Sequence, residues 1–206
     1  AHSALRRINW QPASARQLGG FAELFPETPQ ANSLQIVTMQ AVREPGIYII
    51  EGPMGCGKTE AALAAAYQLI AEAKATGLYF ALPTQVTSNR VHLRVRPFVE
   101  RLSAYPSSVQ LAHSASWLVD REPMPKLRAA YSDPEAQADV RAGRSWFSSP
   151  KRALLTPYGV GTIDQALLGI VAANHFFVRR FGLAGKVVIL DEVHSYDLYT
   201  GTLIDI

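Results

Sequence analysis

The chain has almost no cysteine. Cys56 is the only one in 206 residues, so no internal disulfide can form, which fits a reducing compartment. Long apolar runs are missing too. Ala166–Ala173 is among the longest and stops at Asn174, far short of the roughly 20 residues a membrane helix needs. No signal-peptide pattern opens the sequence. There are no internal repeats and no low-complexity tracts. Charge of one sign is scarce: the formal net charge is +3, too weak to argue for a nucleic-acid partner by itself. Lysine is sparse, and arginine supplies 15 of the 20 basic residues. Arginine suits bidentate phosphate contacts, but beside so much alanine the bias reads as genome composition. The expectation is a soluble cytoplasmic protein with no membrane partner.

What is present is a core-forming composition, 48% hydrophobic, enough for one domain or one and a fraction. Residues 1–35 form a polar lead-in broken by Pro12, Pro26 and Pro29. Alternation then begins. Gly46–Glu51 (GIYIIE) reads as a strand, and Lys58–Thr76 as a helix closed by Gly77. Leu78–Leu82 is a second strand. Thr87–Leu102 is a helix that Pro97 kinks or splits, and Val109–Ala112 is a short strand. Residues 115–150 carry four prolines, the last of them Pro150 at their end, with mixed charge and little periodicity. They are expected to be a mobile, partly helical insertion. Arg152–Thr156 is read as a strand, Thr162–Ala173 as a helix, Lys186–Leu190 as an apolar strand and Ser195–Ile206 as the start of a helix. Apolar strands alternating with helices imply an α/β fold, a parallel sheet with helices on both faces. Ligands of such sheets bind beyond the carboxyl ends of the strands.

The run Gly52-Pro53-Met54-Gly55-Cys56-Gly57-Lys58-Thr59 fits the phosphate-loop pattern at every fixed position, and Glu60 follows it. Glycines let backbone N–H groups turn toward phosphate oxygens, and the helix from Lys58 adds its positive end. Lys58 would reach the β- and γ-phosphates and the Thr59 hydroxyl would join a Mg²⁺ shell. A strand before and a helix after are the context the motif demands. Cys56 lies where thiol pKa values fall, yet a small side chain that fits the loop explains it more simply.

A phosphate loop needs a carboxylate at the end of another strand. "VVILDEVH" supplies Asp191 and Glu192. Asp191 would hold Mg²⁺ through water, and Glu192 would orient and deprotonate the attacking water. A polar cap on the next helix accounts for one acid, but not for four apolar residues, then Asp-Glu, then His194. The bound ligand is thus a nucleoside triphosphate, and it is hydrolysed.

Asp-Glu-x-His resembles the signature of superfamily 2 helicases of the DEAD/DEAH kind. In order, the chain reads "EGPMGCGKTEAAL", "ALPTQVTSNRV", "LLTPYGVGTIDQALL" and "RRFGLAGKVVILDEVHSYDLY". These segments resemble the helicase core of the CRISPR-associated helicase–nuclease of type I systems, from about Phe25 onward and most weakly over 115–145. The resemblance implies a RecA-like P-loop NTPase domain, residues 36–206 being the first such domain of a prokaryotic helicase. It implies ATP as the nucleotide. Gln35, 17 residues before Gly52, falls where such helicases read adenine, with Gln30 and Gln40 as competitors. Pro83, Thr84, Thr87, Ser88 and Asn89 match one segment that touches the nucleic-acid backbone, and Gly161 and Thr162 match another. His194 would couple the nucleotide site to the neighbouring domain. Arg90, Arg94 and Arg101 fall near one helical face, for which a solvated surface is the usual explanation. His113 reads as structural.

The family's second RecA-like domain, with its arginine fingers, and its nuclease domain find no counterpart here. The five histidines are scattered and form no His-Asp metal cluster. The chain is therefore expected to be a cut piece or one half of a split gene, with little turnover alone. Its expected partners are single-stranded DNA, a crRNA-guided surveillance complex, and those two domains outside this chain. Two other readings stay open: a lobe of a different superfamily 2 motor, such as a restriction translocase or an RNA helicase, and a binding module without turnover.

Overall fold

The computed structural model describes residues 13, 15–83, 85–103, 110–112, 154–169 and 176–193. In chain order the elements are α1 (Phe21–Leu24), α2 (Ser33–Ala41), α3 (Lys58–Ala71), β1 (Leu78–Leu82), α4 (Gln85–Leu102), β2 (Gln110–Ala112), β3 (Tyr158–Thr162), α5 (Ile163–Leu167), α6 (Phe176–Leu183) and β4 (Val187–Leu190).

The sheet is parallel throughout, in the order β2-β3-β1-β4. β1 pairs Leu78 with Tyr158 of β3 on one side and with Val187 of β4 on the other. Its sequence, LYFAL, is buried at every position, as expected of a strand covered on both faces. Successive side chains point to opposite faces, so β1 serves two cores. Leu78, Phe80 and Leu82 join Leu63, Tyr67, Ile70, Val95, Phe98 and Val99. Tyr79 and Ala81 join Leu154, Ile163 and Leu167. Helices α1, α3 and α4 cover the first face, and α5 covers the second.

The lead-in packs on the same core. Phe21, Leu24 and Phe25 sit in the larger cluster, with the Phe25 ring stacked on Phe98 at 5.7 Å. The Tyr67 hydroxyl accepts from the Leu18 N–H and donates to the Arg16 carbonyl. One α3 side chain thereby anchors the extended segment before α1.

Several sequence expectations differ from the structure. Gly46–Glu51 forms no strand: Ile47 is 97% exposed and Ile49 83%. Its β-branched composition favours extension, but a strand also needs a neighbour to hydrogen-bond. The strand expected at 152–156 is displaced: Leu154–Pro157 is a turn, and β3 begins at Tyr158. Gly77 explains why the chains meet there. A Cβ at Gly77 would lie 2.1 Å from the Pro157 carbonyl oxygen, which accepts from the Leu78 N–H at 2.8 Å. The helix expected over 58–76 stops at Ala71, because Ala73 turns left-handed (φ 57°). Lys74 and Ala75 then both donate to the Leu69 carbonyl. The helix expected over 162–173 runs from Ile163 to Leu167. Pro97 neither splits nor ends α4, which continues to Leu102. Residues 115–150 and 195–206 lie outside the described residues. Among the described residues, no helix is long and apolar enough to cross a membrane.

Candidate functional site

The glycine loop lies directly before α3. Gly55 (φ 78°) and Gly57 (φ 84°) both take left-handed backbone that a side chain would strain. At Gly52 a Cβ would sit 2.7 Å from the Cys56 sulfur. The Cys56 side chain therefore folds across the start of its own loop, where a small residue is required. The first N–H groups of α3 have no acceptor within the helix and carry its positive end. Lys58 Nζ donates to the carbonyl oxygens of Gly52 and Pro53 at 2.8 and 2.9 Å. The ammonium thus spans the loop that a phosphate would enter.

Asp191 follows β4. Its N–H donates to the Ala81 carbonyl, one strand over, at 3.1 Å. Its Oδ1 accepts the Glu192 N–H at 3.0 Å. Burial pushes the Asp191 carboxyl above its ordinary value. The Glu192 N–H bond opposes this, the Glu192 charge adds to it, and the positive charges of Lys58 and Arg94 oppose it. Lys58 and Asp191, 133 positions apart in sequence, thus share one electrostatic environment. Glu192 is exposed and left-handed (φ 54°), a costly conformation for a residue with a Cβ. Arg94 of α4 also pairs with Glu60 of α3 at 2.8 Å.

Among the described residues no cluster of three or more His, Cys, Asp or Glu could hold a metal unaided. Mg²⁺ does not need one, since it usually keeps waters and takes one or two protein oxygens plus substrate phosphates. The Thr59 hydroxyl and the Asp191 carboxylate are oxygen donors of the right kind.

Gln35 lies in the first turn of α2, 5% exposed. Its Oε1 accepts the Asn32 N–H at 2.9 Å, and its Nε2 donates to the Gly57 carbonyl at 3.3 Å. One lone pair and one N–H of the amide are left over from these contacts. Gln40 is in the last turn of the same helix and Gln30 precedes it.

The positions expected to touch nucleic acid fall at the carboxyl ends of β1 and β3. Pro83 directly follows β1, and Thr87, Ser88 and Asn89 lie in the first turns of α4. Gly161 and Thr162 end β3. Thr162 is 4% exposed, and its carbonyl accepts the Tyr79 hydroxyl at 2.9 Å. Thr84 and His194 lie outside the described residues. Two arginines of the α4 stripe bind within the domain: Arg94 to Glu60, and Arg101 to the Leu24 carbonyl and Glu27.

Two residues that the motifs did not single out for this site touch it. Arg94 does so through its ion pair with Glu60, and its charge is felt at Asp191. Asn32 caps α2 and donates from Nδ2 to the Cys56 carbonyl at 2.9 Å. The Asn-x-x-Gln spacing marks a capping box in sequence, but nothing local announces the bond to the loop.

Comparison with known proteins places this site in a family. The chain is 44% identical over 209 residues to the CRISPR-associated endonuclease/helicase Cas3 of Thermus thermophilus, covering 99% of this chain and 23% of that protein. The ADP complex of T. fusca Cas3 superimposes with a TM-score of 0.81 at 36% identity, over 99% of this chain and 22% of that one. Over 99% of its length the chain is homologous to Cas3 proteins. It corresponds to the first RecA-like helicase domain and spans less than a quarter of the Cas3 relatives it matches. T. fusca Cas3 has also been solved with AMPPNP and with ATP. A CRISPR RNA-guided surveillance complex, pre-nicking, contains a chain 32% identical over 84% of this one, with a TM-score of 0.53 and 16% of that chain covered. No family model matches the chain.

Proposed function

We propose that this chain is the ATP-binding first lobe of a Cas3-type helicase that translocates on single-stranded DNA during type I CRISPR interference. The observation that carries the reading is that the charge of Lys58, beside Thr59 at the N-terminus of α3, reaches Asp191, beyond β4. ATP binds in the loop Gly52–Thr59. Lys58 exchanges its two carbonyl acceptors for β- and γ-phosphate oxygens, and the N–H groups of the loop and α3 take the remaining charge. Thr59 and Asp191 would hold Mg²⁺, which would supply positive charge to offset that of the phosphates. Glu192, held in a left-handed turn beside Asp191, orients the attacking water and accepts its proton. Gln35 reads adenine with the amide groups left over from its contact with Gly57.

Single-stranded DNA runs across the carboxyl ends of β1 and β3, touching Pro83, Thr84, Thr87, Ser88, Asn89, Gly161 and Thr162. The N-terminus of α4 suits phosphate. At the buried Thr162 the contact is made through the backbone. His194 relays the nucleotide state to the second RecA-like domain. That domain, a nuclease domain and a crRNA-guided surveillance complex are the partners, in a prokaryotic cytoplasm. The solved surveillance complex with a related chain supports the last of these. Kinship to Cas3 does not favour a restriction translocase or an RNA helicase. The isolated lobe turns ATP over slowly, for want of an arginine finger.

Titration calorimetry with Mg²⁺-ATP, with and without single-stranded DNA, tests the reading. Wild type binds, Lys58→Ala does not, and Glu192→Gln binds without hydrolysing in the full-length protein. Near-normal turnover by Lys58→Ala would refute the loop assignment. Lost binding in a folded Glu192→Gln variant would refute the role of Glu192.

A further inference from the structure

We propose that Asn32 is a positioning residue for the phosphate loop, a latch that ties the loop's backbone to the N-terminus of α2. This rests on reading the loop as the nucleotide site. Asn32 Oδ1 accepts the Gln35 N–H at 3.0 Å, and Asn32 Nδ2 donates to the Cys56 carbonyl at 2.9 Å. Gln35 answers with the same geometry. Its Oε1 accepts the Asn32 N–H, and its Nε2 donates to the Gly57 carbonyl. One reciprocal capping box therefore grips two consecutive carbonyls of the loop.

The grip has a consequence for phosphate. In a planar trans peptide, the carbonyl of one residue and the N–H of the next point in opposite directions. Holding the Cys56 carbonyl toward Asn32 aims the Gly57 N–H away from α2. Holding the Gly57 carbonyl toward Gln35 does the same for the Lys58 N–H. N–H groups turned to the inside of such a loop are the ones that cradle phosphate. The packing leaves little freedom for an alternative. A Cβ at Gly57 would lie 2.5 Å from Gln35 Nε2 and 3.2 Å from Asn32 Nδ2. The latch thus presets the loop before nucleotide arrives. That saves ordering cost on binding. Reading adenine through Gln35 is a separate property, because Asn32 acts on the loop.

Serine separates the two roles of Asn32. Its hydroxyl caps a helix as well as asparagine does, but it is too short to reach the Cys56 carbonyl. In the full-length protein, Asn32→Ser should melt at the wild-type temperature and bind Mg²⁺-ATP about three- to tenfold more weakly, the loss of one neutral hydrogen bond. Asn32→Ala should show the same loss of affinity and a lower melting temperature. A nucleotide-free crystal structure of Asn32→Ser should show the Cys56–Gly57 peptide in more than one orientation. Wild-type affinity in Asn32→Ser, or an affinity loss that appears only where melting also falls, overturns the latch. So does a single, wild-type peptide orientation in that crystal. If wild type itself binds no ATP, the nucleotide reading fails, and the peptide orientation still decides the latch.

Discussion

Lys186 makes the structure's sharpest claim about pH. It stands just before β4, half-buried, its ammonium donating to the Leu154 carbonyl at 2.6 Å and to the Thr156 carbonyl. These bonds pin the turn that leads into β3 against the start of β4. Burial pushes Lys186 down from 10.5 to about 7. In an unfolded chain the group keeps its ordinary value. Between pH 7 and 10.5 the unfolded state therefore holds more protons than the folded one, and stability rises with pH. Each unit across that window is worth about 1.4 kcal/mol when the difference is a full proton. From pH 7.5 to 9.0 the limit is about 2 kcal/mol. The two carbonyl acceptors favour the ammonium and pull against burial, so about 1–2 kcal/mol is expected. Urea denaturation of wild type and Lys186→Met at the two pH values isolates the effect, since other titrating groups cancel in the comparison. Wild type should gain that much relative to the variant on going to pH 9.0. Parallel pH dependences would refute the argument. They would mean that the carbonyls, not burial, govern this lysine.

Gly77→Ala should be among the most damaging single changes. Its Cβ would meet the backbone of Pro157 at 2.1 Å, and neither strand can yield without losing the β1–β3 register. Overpacking of this kind costs about 1–3 kcal/mol or more, read as a lower urea midpoint, and a wild-type midpoint would sink the reading. Arg94→Gln should cost little stability, about 1 kcal/mol or less, because the pair with Glu60 is partly exposed. Its signature is kinetic. Arg94 lowers the Asp191 pKa, so its removal should move the acid limb of the ATPase pH profile upward, and an unmoved limb would count against that coupling.

The parts of the site that could be read in sequence are those whose chemistry is local. The run Gly52–Thr59 needs its left-handed glycines and its lysine within one turn of chain. The strand VVIL needs only composition and the two acids that follow it. Both lie where sequence spacing puts them. β1 was equally plain, because burial on both faces writes itself as an unbroken apolar run. β3 was not. It carries two glycines, Gly159 and Gly161, in five residues, and glycine weakens any strand signal. Its status comes from pairing with β1 on one side and β2 on the other. Gly46–Glu51 shows the converse. Its composition is that of a strand, but composition measures fit to a sheet that must exist beside it.

The same distinction separates the residues proposed to meet nucleotide from those proposed to set their positions. Lys58, Thr59 and Asp191 are recognisable because phosphate and metal chemistry constrains residue type at fixed spacing. Asn32 and Arg94 obey no such constraint. Asn32 lies 24 positions from Cys56 and Arg94 lies 34 from Glu60, and other polar side chains could span the same gaps. Both also have ordinary explanations, a helix cap and a solvated arginine, that satisfy the local sequence completely. Their second contacts exist only because α2 packs on α3, and because α4 and α3 cover the same sheet face. Variants at these two positions should therefore leave the fold nearly intact and show themselves in nucleotide affinity and in the pH profile.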